Sequence, residues 1–120
     1  MFYEPKNGHP FKIDPYKALV FPRPIGWISS LSKQGIPNLA PYSYFNAVAD
    51  EPPQVMFCSN GDSAYGGFKD SLSNILTTKE FVVNFATSTT RNAMNISSSN
   101  YKPNEDEFVA AKLKKRKSKL

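Results

Sequence analysis

Residues 38–57 read NLAPYSYFNAVADEPPQVMF, and the reading of this run decides the fold. A strand with one wet face alternates apolar and polar side chains. Here Leu39, Tyr42, Tyr44 and Phe45 offer flat apolar surface, while Asn38, Ser43 and Asn46 place hydrogen-bonding groups where the alternation breaks. The run is therefore either irregular or has both faces against something other than water. Pro52 and Pro53 end it, because proline cannot donate to a strand ladder. Upstream, FPRPIGWISSLS (21–32) supplies a strand over 25–31, and KQGIPN (33–38) is a polar turn in which Gly35 can take a positive φ. The expectation is a hairpin between 25–31 and 38–48.

The other segments are short. Residues 1–16, with Pro5, Gly8, Pro10 and Pro15, read as an extended lead-in, and 18–21 as a short strand held to an edge by Pro22 and Pro24. QVMFCS (54–59) is nearly all apolar, the pattern of a buried strand. SNGDSAYGGF (59–68) is a glycine-rich loop. In KDSLSNILTTKE, Leu72, Ile75 and Leu76 recur at helical spacing behind a cap at Asp70 or Ser71. EFVVNFAT (80–87) is a strand of strong β-formers, Ser88 or Thr89 caps a helix running through Met94, and EFVAAKL (107–113) makes one or two turns. Short strands with short helices between them, and neither repeat nor heptad, give a mainly β, antiparallel sheet or barrel.

With 120 residues, 40% of them hydrophobic, the chain holds at most one modest core and is too apolar for disorder. No apolar run is long enough to cross a bilayer, and MFYEPKNGHP lacks the basic and apolar regions of a secretory signal. Cys58 is the only cysteine and His9 the only histidine, which argues against a disulfide, a zinc site or a Cys–His pair and makes the cytoplasm the default compartment. The net charge of +5 is local: KLKKRKSKL (112–120) holds six of the fifteen basic residues, leaving nine basic against ten acidic elsewhere, a balance of −1. The body therefore shows no electrostatic footprint for nucleic acid.

Two constellations carry possible chemistry. Ser29, Ser30, Ser43 and Asn46 on the expected hairpin, beside Trp27, Tyr44 and Phe45, suit a planar heteroaromatic ligand that needs flat contact and a few fixed polar partners. The same residues serve equally as core and edge groups. SNGDSAYGGFKDS leads into a helix N-terminus, where free N–H groups with Ser59, Lys69 and Ser71 can hold a phosphate. The glycine spacing is neither that of a P-loop nor that of a dinucleotide-binding fingerprint, and a plain capped helix explains it as well. The ten carboxylates lie mostly in loops, and no nucleophile motif is present, so a bound cofactor would have to bring the chemistry.

In order and spacing, FPRPIGWISSLSKQGIPNLAPYSYFNAVADEPPQVMF, KDSLSNI, EFVVNFAT and AMNISSSNYKPNEDEF resemble the flavin reductase-like, FMN-binding split-barrel family. The resemblance runs from Asp14 to Leu120. It implies a mainly β, antiparallel, Greek-key-like split barrel that binds FMN at a homodimer interface and passes a hydride from NADH or NADPH to flavin. Some members feed a partner monooxygenase; others are flavoprotein electron carriers without reductase activity, and that alternative stays open, as does a basic tail acting as an interaction element. Transferred to this sequence, Ser29, Ser30, Tyr42, Ser43, Tyr44, Phe45 and Asn46 would line the isoalloxazine and ribityl chain. Ser59, Asn60, Lys69, Asp70 and Ser71 would lie near the ribityl and phosphate end. Neither nucleic-acid nor membrane binding is implied.

Members of the family are longer, and continue past the segment matching KLKKRKSKL with strands that complete the barrel. The expectation is a lead-in over 1–13, the N-terminal part of a split-barrel domain over 14–111, and an interior basic segment over 112–120. On that view the terminal Ser-Lys-Leu is no peroxisomal address. The glycine-rich loop is longer than in many members, so the phosphate contacts transfer less directly than those to the ring. Missing strands leave open edges, so the 120-residue chain alone should bind FMN weakly or aggregate. A yellow, monodisperse preparation that melts cooperatively would overturn that expectation.

Overall fold

The computed structural model describes residues 2–119. After a 3₁₀ turn at Pro5–Asn7 the elements are α1 (Pro15–Leu19), β1 (Gly26–Leu31), β2 (Pro37–Tyr42), β3 (Phe45–Asp50) and β4 (Pro53–Phe57). They continue with α2 (Asp70–Thr78), β5 (Val82–Asn84), α3 (Arg91–Ile96) and α4 (Glu107–Ala110). Every strand pairing is antiparallel: one sheet has the order β2–β1–β5, and β3 pairs with β4 in a second. The architecture is mainly β with short helices, and the described strands do not close into a barrel.

Several expectations need correction. Residues 15–19 form a helix where 18–21 was expected to be a strand, because Pro15 presets the first helical φ and the Asp14 carboxylate accepts from the Tyr16 N–H at 3.0 Å. The second arm of the expected hairpin divides. β2 ends at Tyr42, whose ring packs on Phe57 with centroids 4.8 Å apart, whereas Tyr44 turns away to stack on Tyr16 under the Arg23 guanidinium. β3 therefore starts a new sheet. β4 is not buried: Val55 and Met56 are exposed, with Val48 beside them on β3. β5 is three residues long rather than the eight expected, and α2 and α3 follow Lys69 and Thr90 rather than the capping residues expected from sequence.

The core is half polar. Alongside Trp27, Ile28, Leu39, Tyr42 and Ala111, it buries Ser30, Asn38, Ser71, Asn74, Ser97 and Glu107. The register sets Ser30 opposite Asn38 and Ile28 opposite Ala40, so these side chains share the face that α2 covers. α2 meets that face with polar groups: Asn38 Nδ2 donates to Ser71 Oγ at 2.7 Å, and Asn74 Nδ2 donates to Ser30 Oγ at 3.1 Å. Leu76, expected on the buried stripe, is 50% exposed. On the opposite face Trp27 Nε1 donates to Ser97 Oγ, while Asn84 Nδ2 on β5 donates to Ser29 Oγ and to the Trp27 carbonyl.

β2 is an edge strand, and its sequence closes that edge. In an antiparallel pair alternate N–H groups point away from the partner. On β2 the outward positions are Pro37, Leu39 and Pro41. Proline has no N–H, and the Leu39 N–H donates to Glu107 Oε2 on α4 at 3.0 Å. Within β2 no outward donor is left to recruit another strand.

At Gly26 the first strand of one sheet meets Phe45, the first residue of the other. A Cβ built there lies 2.4 Å from Phe45 Cδ2, closer than any real contact, so the aromatic ring at the start of β3 needs a bare backbone beneath it. Gly26→Ala should cost about 1–3 kcal/mol through overpacking, read by urea denaturation. Combined with Phe45→Ala it should cost much less than the sum of the single changes. Additive effects would refute the contact.

Candidate functional site

The capped edge of β2 borders a cavity of about 140 Å³. Tyr42 and Asn38 come to it from β2, Lys69, Asp70 and Ser71 from the start of α2, and Glu107 from α4. The glycine-rich loop closes one side with Asp62–Tyr65, and the turn after α3 closes the other with Ser97–Tyr101. The sheet positions Tyr42, the α2 seam fixes Ser71, and the Leu39 contact fixes Glu107.

Of the residues singled out from sequence, Tyr42, Lys69, Asp70 and Ser71 come together on this cavity. Ser59 does not line the cavity itself, but its hydroxyl and that of Ser71 flank the Tyr42 phenol, which does. Ser59 Oγ is buried with no hydrogen-bond partner among the described residues. The remaining candidates do not line this cavity. Ser30 is buried under α2 and Ser29 faces Asn84, so adjacent serines point to opposite sides of the sheet. Ser43, Tyr44 and Phe45 are half-buried along the turn into β3, and Asn46 and Asn60 are exposed. The sequence reasoning missed Glu107, Ser97, Asn38 and Asn74. The signal for Asn74 was its i, i+3 spacing from Ser71 in the first half of a helix that should have buried leucines.

The wall of the cavity is acidic. Burial pushes the Tyr42 phenol above its ordinary value; the neighbouring Ser71 and Ser59 hydroxyls pull it down, and Asp70 and Glu107 add to the rise. Burial likewise raises the Asp70 carboxyl. Glu107 is only 5% exposed, and burial raises its carboxyl too, against the pull of its own N–H and that of Leu39; Asp70 and Asp106 reinforce the rise. Among the described residues Lys69 is the one cation lining the cavity, and no ion pair joins it to Glu107.

The family model for the flavin reductase like domain matches residues 18–120, and the chain belongs to that family. An uncharacterized protein of Aquifex aeolicus is 47% identical over 104 residues, covering 86% of this chain and 52% of the relative. Among solved structures, nitrilotriacetate monooxygenase component B from Bacillus cereus superposes with a TM-score of 0.83 at 35% identity, over 100% of this chain and 59% of its own. The 2-nitrobenzoate 2-nitroreductase NbaA of Pseudomonas fluorescens gives 0.68 at 31% identity, over 81% of this chain and 44% of its own. The fold is the split barrel of these flavin reductase-like proteins. The chain spans about half the length of the curated relatives it matches. Among the described residues no helix is long and apolar enough to cross a membrane.

The raised Glu107 carboxyl fixes the sign of a stability effect. The native state holds this proton to higher pH than the unfolded chain, whose glutamates titrate near about 4.3, so native stability is lost as pH climbs from there through the raised value. Glu107→Gln keeps an acceptor for the Leu39 N–H and removes the titration. Its melting temperature minus that of the wild type should become more positive between about pH 4 and pH 7. A difference independent of pH would refute the assignment.

Proposed function

We propose that this chain carries the flavin-binding part of a flavin reductase that uses FMN as cofactor and NADH or NADPH as hydride source. The observation that supports this reading best is the convergence of Tyr42, Lys69, Asp70 and Ser71 on one cavity, with the Ser59 hydroxyl beside Tyr42 buried and lacking a well-formed hydrogen bond among the described residues. A buried polar atom without a partner is costly, and a ligand hydroxyl or phosphate is the kind of group that relieves it. The donor set fits: the N–H groups at the start of α2, the Lys69 ammonium and the Ser59 and Ser71 hydroxyls suit the phosphate and ribityl end of FMN. Ser29, Ser30 and the run Tyr42–Asn46, with Asn60 at the loop, are proposed for the ring and ribityl contacts.

At about 140 Å³ the cavity is smaller than the roughly 300–1,000 Å³ that encloses a drug-sized ligand. The tricyclic ring then lies outside it, over the half-buried aromatic groups and the exposed Asn46 amide after Tyr42, and a second copy of the chain closes the groove as a homodimer. When bound, FMN supplies the hydride-accepting ring. The protein's own part is to grip the phosphate end, orient the ring and exclude water. The consumer of reduced flavin is a partner oxygenase; the likeness to a protein named monooxygenase component B supports that reading.

Lys69→Ala should weaken FMN binding about tenfold, the worth of one charge-assisted contact, and leave riboflavin, which lacks the phosphate, nearly unchanged. Quenching of flavin fluorescence measures both on this chain and on any longer open frame that contains it. Equal losses for the two flavins would refute the phosphate placement.

A further inference from the structure

Glu107 is more than an edge cap. Gln would accept the Leu39 N–H as well, without the cost of an ionisable group that is 5% exposed and has no cation paired with it among the described residues. The charged groups facing it leave it uncompensated. Asp70 comes from α2 and Asp106 from its own helix, Asp62 lies across the cavity, and the Tyr42 phenol is neutral. Lys115 is already engaged by Asp106, and Lys69 reaches the cavity without touching Glu107. Where a buried carboxylate with no cation against it among the described residues stands at the wall of a cavity that also holds an ammonium and a helix N-terminus, a functional charge is indicated.

We propose that Glu107 is a charge gate on the anion subsite: ionised, it opposes a phosphate-bearing flavin, and binding of that ligand draws a proton from solvent onto its carboxylate. This rests on the flavin reading given above. The linkage is reciprocal: the ligand's negative charge favours the protonated acid, and the protonated acid favours the ligand. Phosphate-bearing flavin is then held tightly at mildly acid pH and released more readily as pH rises, while a flavin without phosphate is indifferent. The buried carboxyl's raised affinity for its proton moves this response toward neutral pH.

The test measures binding of FMN and of riboflavin to the wild type and to Glu107→Gln by fluorescence quenching across pH, with thermal melting to confirm the variant's fold. The expected result at about pH 8 is FMN held about tenfold more tightly by Glu107→Gln than by the wild type, as for loss of one like charge at a partly screened site. The gap should narrow as pH falls through the raised carboxyl value toward the ordinary carboxylate range, where the wild-type acid takes up its proton, and riboflavin should not distinguish the two proteins at any pH. Calorimetry of the wild type in two buffers of different ionisation enthalpy gives a reading that needs no variant. At about pH 7.5 the phosphate is already doubly ionised, so FMN should bind with net proton uptake and riboflavin with none. Equal FMN affinities in the two proteins, or the absence of uptake, would overturn the gate while leaving the flavin reading intact. A chain that binds neither flavin would overturn both.

Discussion

The hydrogen bond from the Leu39 N–H to the Glu107 carboxylate closes the edge of the three-stranded sheet. β2 is an edge, and an edge strand with free donors pairs with whatever strand it meets. Two prolines remove two of those donors at no cost in hydrogen bonds, and Glu107 takes the third from a residue far along the chain. That contact ties α4 to β2, and with it the turn after α3 and the start of α2 close round one space. Without it, Leu39 would keep its apolar burial but lose the satisfied backbone on which burial depends.

The second constraint is the seam between α2 and the sheet. A helix laid on a sheet is ordinarily held by apolar area, which tolerates sliding. Here Ser71 and Asn74 meet Asn38 and Ser30 in matched pairs one helical turn apart. Shifting the helix by a residue would leave four buried polar groups without partners, so the seam fixes position more than it adds stability. That suits a helix whose first turn lines the cavity, because the placement of Lys69, Asp70 and Ser71 follows from it.

Much of the architecture was legible from local chemistry. The β1–β2 turn, the glycine-rich loop and the existence of α2 and α3 each had turn residues or spacing that allowed little else. The errors came where distant packing outweighed local pattern. QVMFC reads as buried because it is apolar, yet Val55 and Met56 stay exposed and only Phe57, at the end of β4, is packed, against Tyr42 and Phe81. Tyr42 and Tyr44 lie two apart on what should be one face, and only their separate partners, Phe57 and Tyr16, show why the strand divides between them. At the site, the residues from α2 were found because a loop leading into a helix is a local signal. Glu107 was not, since its role depends on an edge N–H sixty-eight positions away.

The seam also bears on how the protein responds to cold. Apolar contacts loosen as water cools, since their driving force near room temperature is entropic. Hydrogen-bonded amide and hydroxyl pairs lack that weakness. In the chill the grip of α2 on its sheet should outlast the contacts around Ile28 and Leu39, leaving the entrance to the cavity firm while the apolar interior slackens.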